Sequence, residues 1–536
     1  MAEDRLGWRG VVAVAATAAA CVGPWGPGRL SYHEAIWAQS ARELLARGDW
    51  LVPTLDGRPW LEKPPLATWL IALTGLAFGR VDEVAARVPS AVAAVGLALG
   101  VATLAARRFG ARIGRLAGLV QATTAWCVLR GRLAEVDLEL AALVTWALVA
   151  FDWLRRRRHA PRAVGHPTVA GMLRVPSANT QERYGEADGT RSVPATKVAF
   201  FTLLGLMSLA KGVGFGAVLV AATVLVTILW DRDWRNLRAL LWLPGWLLAA
   251  IVTIAWPMLV AWRHPNALSL WTLHVADRLA ARPEHFAGER PWEYAIAPLW
   301  QGLPWTPLAL AGAWRSWPRA RADRGGVDRL LWAWAVVPAA LVSLATVRNG
   351  HYLIYSLPPW SLWSAGALDR LGDRMLSKGW SVSRWRRIVS IGMGFLAASY
   401  AVGLGWVGPA LERRGAEWAF YEEAGRRLGQ GESLAIVYDD WDRKPYPSPF
   451  GPMPHDLAVR LYYLRRPASW REGVDDLRAR PPCPADRPFA VIARERDVPA
   501  LRGLGRVEVV ARGPSSRWDR VFALYRVRPG AVRRAR

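Results

Sequence analysis

Tyr32-His33-Glu34, Gly48-Asp49-Trp50 and Leu61-Glu62-Lys63-Pro64-Pro65 lie in one polar and aromatic segment between two long apolar segments. The apolar segments, near 8–27 and 85–106, are each long enough to cross the hydrocarbon core of a membrane. Ser31 with Glu34 three residues later is typical of a helix capping box, and Gly48 is typical of a helix end. The sequence therefore predicts an amphipathic helix at the membrane surface, with His33 and Glu34 in its first turn.

Composition indicates an integral membrane protein. Hydrophobic residues make up 52% of the 536-residue chain, 32 residues are tryptophan, and the formal charge is +26. The arginines lie in short clusters between apolar runs, where they would set membrane orientation, and this argues against a nucleic-acid-binding protein. Cys21, Cys127 and Cys483 predict neither a disulfide framework nor a cysteine metal site. The first apolar run lacks a convincing cleavage site, so we interpret it as a retained helix.

A window of about 20 residues predicts eleven membrane spans. They lie near 8–27, 85–106, 113–130, 137–154, 197–211, 213–230, 239–262, 294–314, 329–347, 351–368 and 388–409. Five arginine-rich segments then fall on one side of the membrane, which the positive-inside rule makes cytoplasmic. These segments are 107–115, 155–158, 232–238, 315–324 and 370–387. Leu66 to Phe78 is apolar but short for a span, and we expect it to be interfacial.

The chain divides into a membrane part and a tail. Residues 1–410 form the predicted transmembrane domain, which includes an outer-face loop at 28–84 and a flexible cytoplasmic loop at 155–196. Residues 411–536 are predicted to form a small soluble α/β domain on the outer face. Its predicted strands are 433–438, 489–493, 507–510 and 521–525, and its predicted helices are 416–428 and 456–465.

The first loop resembles that of a known family, the polytopic glycosyltransferases that take a sugar from a polyprenyl-phosphate carrier. The resemblance is to the lipid A aminoarabinose transferase and protein O-mannosyltransferase group, and it covers about residues 1–410. Family members carry an acidic pair, a helix ending in Gly-Asp-Trp and a Glu-Lys-Pro turn, and this chain has Glu34, Gly48-Asp49-Trp50 and Glu62-Lys63-Pro64 in that order. The usual Asp-Glu pair is His33-Glu34 here. The resemblance implies a mainly α, GT-C-like polytopic enzyme of the plasma membrane with an extracytoplasmic active site.

Such an enzyme needs a general base. A sugar on a lipid phosphate already has a good leaving group, so displacement by an acceptor hydroxyl needs one base and cations that hold the departing phosphate. The candidate bases are His33, Glu34 and Asp137. Asp137 resembles the family's second acidic site at the head of a span, with helix capping as the structural alternative. Glu34 has the capping box as its alternative, and His33 an interfacial position beside Tyr32. We favour Asp137 as the base with His33 as a helper.

Phosphate recognition requires cations near the membrane surface, because the tail of the carrier stays in lipid. Lys63 and Lys211 resemble the phosphate-binding lysines of the family, and both could instead snorkel to the interface. Arg278 resembles an outer-loop arginine, and Tyr355 a tyrosine near the carrier phosphate, although interfacial tyrosines are common.

A divalent metal is also implied by the resemblance. In the family, an outer-loop histidine can help to hold a metal together with the glutamate of the Glu-Lys-Pro turn. Glu62 and His274 are the corresponding candidates, and His274 shares a helix face with Arg278 four residues later. Two ligands are fewer than the three or four that proteins usually supply.

We predict a membrane glycosyltransferase that uses a polyprenyl-phosphate sugar as donor and a lipid, glycan or protein hydroxyl as acceptor. Its other partners are membrane lipids, and no nucleic acid is expected. A transporter or flippase of a lipid-linked solute is the alternative, but such a protein is expected to show internal repeats, and none is convincing here. A membrane-anchored binding protein would leave the span ends apolar, unlike Lys211 and Asp137.

Overall fold

The structure is a computed structural model. It describes residues 6–23, 28–159, 181–279, 290–344, 348–411, 415–437, 450, 455–484, 487–514 and 521–529. Within these ranges, side chains are described except at 156–159, 181–193, 274–279, 411, 415–417 and 455–456.

Helices make up most of the described chain before the C-terminal sheet. They are α1 (Trp8–Val22), α2 (Tyr32–Arg47), α3 (Leu66–Phe78), α4 (Glu83–Phe109), α5 (Ala111–Ala122), α6 (Ala125–Gly131), α7 (Asp137–His159), α8 (Gln181–Lys211), α9 (Phe215–Asp231), α10 (Trp234–Leu240), α11 (Leu243–Arg263), α12 (Asn266–Leu279), α13 (Pro291–Gln301), α14 (Thr306–Ala322), α15 (Val327–Ser343), α16 (Pro358–Ser377), α17 (Val382–Val402) and α18 (Gly408–Leu411). A 3-10 helix, Gly350–Ser356, precedes α16, and a π-helical turn, Gly403–Val407, joins α17 to α18.

Every predicted span contains a helix, but two predicted spans are broken. Residues 113–130 divide into α5 and α6, and residues 294–314 divide into α13 and α14. The breaks hold each other: Trp305 Nε1 donates to Thr123 Oγ1 at 3.0 Å, and the Ala125 amide donates to the Leu303 carbonyl at 2.8 Å. Polar groups freed by the breaks are therefore satisfied inside the protein, as a membrane interior requires.

Length and apolarity alone select fewer spans than we predicted. Among the described residues, three helices qualify, and a fourth span results if the strongly bent pair α14 and α15 is counted as one. Helices such as α7 and α16 fail this criterion because they carry buried or paired charges, including Asp152, Arg155 and Asp369. The count of eleven stays a prediction. α3 has 13 residues, which span about 20 Å, so it is too short to cross the bilayer.

A buried ion-pair network joins four helices at one end of the bundle. This basal network consists of Arg108, Asp152, Arg155, Asp231 and Arg329. Arg108 and Arg155 both contact Asp152, and Arg155 and Arg329 contact Asp231 at 2.7 and 3.2 Å. The arginine-rich segments at 107–115, 155–158 and 232–238 meet here or directly beside it.

The C-terminal region contains a mixed five-stranded sheet. Its order is β4 (Ser469–Arg471), β3 (Leu434–Val437), β5 (Phe489–Arg494), β7 (Phe522–Arg528) and β6 (Arg506–Arg512). Strands β4, β3 and β5 are parallel, and β7 and β6 are antiparallel to their neighbours. The helices here are α19 (Gly415–Arg427), α20 (His455–Leu464), α21 (Val474–Ala479) and α22 (Val498–Arg502), and Glu495–Asp497 is a 3-10 turn. The four predicted strands and both predicted helices are confirmed, whereas the three-residue β4 was missed.

The C-terminal region docks on the first loop through α20 and α2. The Leu30 amide donates to Tyr463 Oη at 2.7 Å, and Arg42 lies 3.6 Å over the Tyr462 ring. Arg29 pairs with Glu422 at 3.0 Å. Within the loop, the short strands β1 (Thr54–Leu55) and β2 (Arg58–Pro59) form a hairpin. The loop at 28–84 and the tail therefore lie at the same end of the molecule, as the orientation analysis predicts.

The segment predicted as a cytoplasmic loop, 155–196, falls partly outside the described residues. On its two sides, α7 extends to His159 and α8 begins at Gln181. Helical backbone therefore enters a segment whose sequence shows no clear periodicity. Its flexibility and its place in the cytoplasm stay predictions.

Candidate active site

Asp137 begins α7 at the end of the bundle opposite the basal network, and it is only 4% exposed. Lys211 Nζ contacts Asp137 Oδ1, and Arg130 Nη2 donates to Oδ2 at 2.6 Å. Tyr355 Oη donates to Oδ1 at 3.1 Å, and His351 Nε2 lies 3.8 Å from Oδ2. A buried carboxylate is thus held by two permanent cations and a phenol, with an imidazole next to them.

Lys211 is placed by the end of its helix. It is the last residue of α8, and Gly212 follows with φ of 101°, a left-handed conformation that glycine adopts without strain. The ammonium lies 4.1 Å from the centre of the Tyr352 ring and 3.4 Å from Tyr355 Oη. An apolar helix therefore ends in an ammonium whose charge is compensated by Asp137 and by an aromatic face.

Tyr355 is fully buried in the 3-10 helix that leads into α16. Its carbonyl accepts from Trp334 Nε1 at 2.8 Å, and Trp334 is itself fully buried. Backbone and hydroxyl are both fixed, so the phenol is held in one orientation toward Asp137.

Arg130 connects Asp137 to a second acid. It is near the end of α6, and its guanidinium contacts both Glu135 and Asp137. Burial raises the pKa of Glu135 to about 7, although the guanidinium of Arg130 acts in the opposite direction. The turn that carries Glu135 is fixed by Ser90 of α4, which donates to the Glu135 carbonyl at 2.9 Å.

Glu34 is buried, and all its described hydrogen bonds are structural. The capping box is present, with the Ser31 amide donating to Glu34 Oε2 at 2.8 Å. Arg87 Nε donates to Oε1 at 2.8 Å, and the Ala134 amide donates to the same oxygen at 3.1 Å. Glu34 therefore ties the first turn of α2 to the turn that precedes Asp137. The capping box that we gave as the structural alternative for Glu34 is therefore present. A catalytic role for Glu34 stays a prediction.

His33 is exposed at the start of α2, with its ring stacked 3.9 Å from that of Tyr32. It is close enough to His351 to influence it electrostatically.

Glu62 and Lys63 are half-buried in the segment between β2 and α3. This segment is packed on α12, because Trp271 Nε1 donates to the Leu61 carbonyl at 2.9 Å. His274 follows three residues after Trp271 on the same helix. The side chains of His274 and Arg278 lie outside the described residues.

A metal site is not formed by the side chains that the structure describes. They contain no group of three or more histidine, cysteine, aspartate or glutamate side chains able to hold an ion. The pair Glu62 and His274 stays a prediction, and we derive no chemical step from a metal.

Three predicted site residues meet in one cluster: Asp137, Lys211 and Tyr355. The cluster also contains Arg130 and His351, which the sequence analysis missed. Each lies within seven residues of a predicted site residue: Arg130 precedes Asp137, and His351 precedes Tyr355. Both could have been selected from the sequence, because each is an ionisable residue at the end of a predicted span.

Comparisons with known proteins find similar sequences and similar folds. The sequence pattern of the family described as dolichyl-phosphate-mannose-protein mannosyltransferase matches residues 62–160, which include Lys63 and Asp137. The undecaprenyl phosphate-alpha-4-amino-4-deoxy-L-arabinose arabinosyl transferase of Edwardsiella ictaluri is 30% identical over 358 residues, which is 64% of this chain and 57% of that protein. The Pseudomonas aeruginosa protein of the same name is 28% identical and covers 68% of this chain and 59% of its own length.

Among solved structures, ArnT from Cupriavidus metallidurans bound to undecaprenyl phosphate superposes with a TM-score of 0.69 at 19% identity, covering 97% of this chain and 98% of that one. The chain has the ArnT fold. The Archaeoglobus fulgidus oligosaccharyltransferase is more distant, with a TM-score of 0.53 at 12% identity over 86% of this chain and 63% of that one. The resemblance inferred from the first loop, to glycosyltransferases that use a polyprenyl-phosphate carrier, is confirmed.

Proposed function

We propose that this chain is a glycosyltransferase that moves a sugar from a polyprenyl-phosphate carrier to an acceptor hydroxyl by single displacement. The observation that carries the proposal is the convergence of Lys211, Arg130 and Tyr355 on Asp137 at one end of a membrane bundle. The three hydrogen-bond donors can stabilise the departing phosphate, and the carboxylate can accept the proton of the acceptor hydroxyl.

The displacement has a simple balance of bonds. The acceptor oxygen forms a bond to the anomeric carbon while the bond from that carbon to the phosphate oxygen breaks. The acceptor proton passes to a base, and the polyprenyl phosphate leaves with the electron pair. Lys211, Arg130 and Tyr355 would bind the phosphate oxygens as their negative charge increases.

Asp137 has its oxygens engaged by Lys211, Arg130 and Tyr355. A carboxylate in close contact with two cations is a weak base, because protonation would remove both attractions. We propose that the donor phosphate draws Lys211 and Arg130 toward itself and so frees Asp137 to accept the proton. Donor binding would then precede activation of the acceptor.

The relatives suggest the donor more narrowly than the geometry does. Their names specify undecaprenyl phosphate carrying 4-amino-4-deoxy-L-arabinose, and we propose this aminopentose as the first sugar to test. We place the enzyme in the plasma membrane with the Asp137 end on the extracytoplasmic face. The acceptor is a lipid, glycan or protein hydroxyl. The relatives and structures named above are glycosyltransferases, which gives the transporter alternative no support.

Transfer from synthetic donors tests the proposal. The full chain, purified in detergent, would be given undecaprenyl-phosphate aminoarabinose or mannose together with lipid and peptide acceptors, and products would be quantified by mass spectrometry. Asp137→Asn should lower the rate by about 10²- to 10⁴-fold. Asp373→Asn, at a side chain that is 62% exposed in α16, is the matched control and should retain the rate. No transfer from any donor by folded protein, or equal rates for the two variants, would overturn the proposal.

A further inference from the structure

A cavity of about 240 Å³ lies away from Asp137, between α5, α14, α15 and α16. Its apolar wall includes Phe109, Ile113, Leu331 and Trp363, and its polar wall includes Arg319 and Arg370. Phe109 is 37% exposed at the end of α4, so the apolar wall reaches the surface of the bundle. The cavity belongs to the end of the bundle that carries the arginine-rich segments.

Arg370 points into this space. A Cβ atom added to Gly366 would lie 3.8 Å from Arg370 Nη2 and would meet no other group, so the guanidinium lies along α16 over the glycine. Gly366 lines the cavity as well. The absence of a side chain at Gly366 therefore gives the Arg370 guanidinium its access to the cavity.

The carboxylates around the cavity pair with other arginines. Arg319 Nε donates to Asp328 at 2.9 Å, and Arg112 Nε lies 2.8 Å from Asp369. Among the described side chains, no carboxylate lies within ion-pair distance of Arg370. Arg315, Arg319 and Arg374 act on it electrostatically with the same sign of charge, and among the neighbouring groups Asp369 acts with the opposite sign. Arg370 therefore lines the cavity without a direct ion-pair partner.

Two buried polar atoms of the cavity wall also lack a hydrogen-bond partner. They are Arg370 Nε and Trp363 Nε1, and Trp363 is only 7% exposed. A buried donor without a partner is disfavoured unless a ligand or water satisfies it. Two unpartnered donors on residues that line one cavity are suited to oxygen atoms of an anion.

We propose that this cavity binds an anionic phospholipid of the adjacent leaflet. The phosphate group would contact Arg370 and Trp363 Nε1, and the start of an acyl chain would lie against Leu331 and Ile113. A free phosphate would need only these donors, whereas the apolar wall and its opening at Phe109 fit a ligand with a hydrocarbon part. This site is independent of the proposed sugar transfer.

Native mass spectrometry of the full chain in a neutral detergent tests the proposal. Phosphatidylglycerol would be titrated against wild type, Arg370→Ala and Gly366→Leu. Arg386→Ala and Gly392→Leu are the matched controls, because Arg386 is exposed and a Cβ at Gly392 meets nothing within 4 Å. Each cavity variant should weaken the binding of one phosphatidylglycerol by about tenfold, because Arg370→Ala removes a charge-assisted contact and the Gly366→Leu side chain fills the space over the guanidinium. The controls should bind like wild type.

Two further ligands, phosphatidylcholine and inorganic phosphate, test whether the site binds an anionic lipid or a free anion. Phosphatidylcholine, whose headgroup has no net charge, should bind more weakly and should not distinguish Arg370→Ala from wild type. Millimolar inorganic phosphate should not displace the bound phosphatidylglycerol, and displacement would overturn a lipid site in favour of a free anion. Equal phosphatidylglycerol binding by Arg370→Ala and Arg386→Ala would also overturn the proposal. If Gly366→Leu does not fold, as judged by its melting temperature, the arginine pair decides alone.

Discussion

Lys211 shows how a single charge can be maintained at the end of an apolar helix. An isolated ammonium at membrane depth is strongly disfavoured, and here Asp137 and the Tyr352 ring compensate it. The same contacts keep Asp137 ionised at a buried position. Replacing Asp137 would leave the Lys211 ammonium without its carboxylate, whereas replacing Lys211 would leave Asp137 paired with Arg130.

Replacing Lys211 should affect turnover more than folding. Lys211→Ala removes a charge-assisted contact to the donor phosphate, and we expect transfer to decrease by at least about 10²-fold. Lys63→Ala should act in the same direction if the Glu-Lys-Pro turn also binds phosphate. Initial rates in detergent, with melting temperatures as the folding check, provide the measurement. Lys378→Ala, at an exposed lysine, is the control. Normal transfer by both Lys211→Ala and Lys63→Ala would show that these lysines do not bind the donor phosphate.

His33 should contribute less than Asp137. Its ring is exposed and stacked on Tyr32, whereas Asp137 is buried among the proposed phosphate ligands. We expect His33→Ala to lower the rate by less than about tenfold, against about 10²- to 10⁴-fold for Asp137→Asn. If His33→Ala abolishes transfer and His33→Asp restores part of it, the base role belongs to His33 and our assignment is wrong.

At the scale of the element, α2 is joined to the turn before Asp137 by Glu34. Its two oxygens accept from Ser31, Arg87 and Ala134, so a displacement of the α2 N-terminus would move the residues next to Asp137. Glu34 thus caps α2 and also positions the turn that precedes Asp137.

Glu34→Gln should destabilise the protein. The amide keeps the shape of the side chain but leaves Arg87 buried without its counter-charge, and we expect a loss of about 3 kcal/mol in the free energy of unfolding. Arg87→Gln should cost less in the Glu34→Gln background than alone, because the interaction is already absent. Thermal unfolding in detergent measures both effects, with Glu472→Gln as an exposed control. Additive effects of the two substitutions would contradict the coupling.

Helix positions were predictable from apolar runs, but helix breaks were not. Hydropathy continues through 113–130 and 294–314, and hydrogen bonds between the two segments, at Thr123 and Leu303, stabilise the breaks. Likewise, family resemblance pointed to Asp137, Lys211 and Tyr355, while Arg130 and His351 join them only through tertiary packing. A single sequence shows which ionisable residues lie at the ends of the spans, but it does not show which of these residues contact one another in the folded protein.

At the scale of the whole molecule, the C-terminal sheet region is attached to the first loop by specific polar contacts. Asp56 of the β1–β2 hairpin accepts a hydrogen bond from the Trp470 backbone, and Arg42 donates to the Tyr462 carbonyl. The loop at 28–84 and the C-terminal region, which we predicted to share the outer face, are therefore in direct contact.

Asp56 should make the stability depend on pH. Burial raises its pKa to about 6, so the folded protein binds this proton more tightly than the unfolded chain does. The contribution of Asp56 to stability therefore decreases as pH rises from about 4 through 6. Relative to wild type, the melting temperature of Asp56→Asn should increase over that interval, whereas that of Asp475→Asn, which is 95% exposed, should not. Parallel pH curves for wild type and Asp56→Asn would refute this.

Chemical labelling can test the orientation of the whole chain. We expect Arg80→Cys and Glu472→Cys to react with an impermeant maleimide from outside intact cells, and Lys378→Cys to react only after permeabilisation. All three positions are exposed, and a Cys483→Ser background removes the partly exposed native thiol. Reaction of only one of the first two positions from outside would contradict their common side.

The basal network sets an order for biogenesis. Arg155 donates to the carbonyl of Gly326, which lies 171 residues further along the chain, and shares Asp231 with Arg329. When α7 is inserted, the ribosome has not yet synthesised these partners. Arg155 can therefore pair only with Asp152 of its own helix until α9 supplies Asp231, and its contact with Gly326 forms only after α14 is complete. Insertion of the helices and closure of the bundle are consequently separate events in the life of this protein, and closure depends on the arrival of α15.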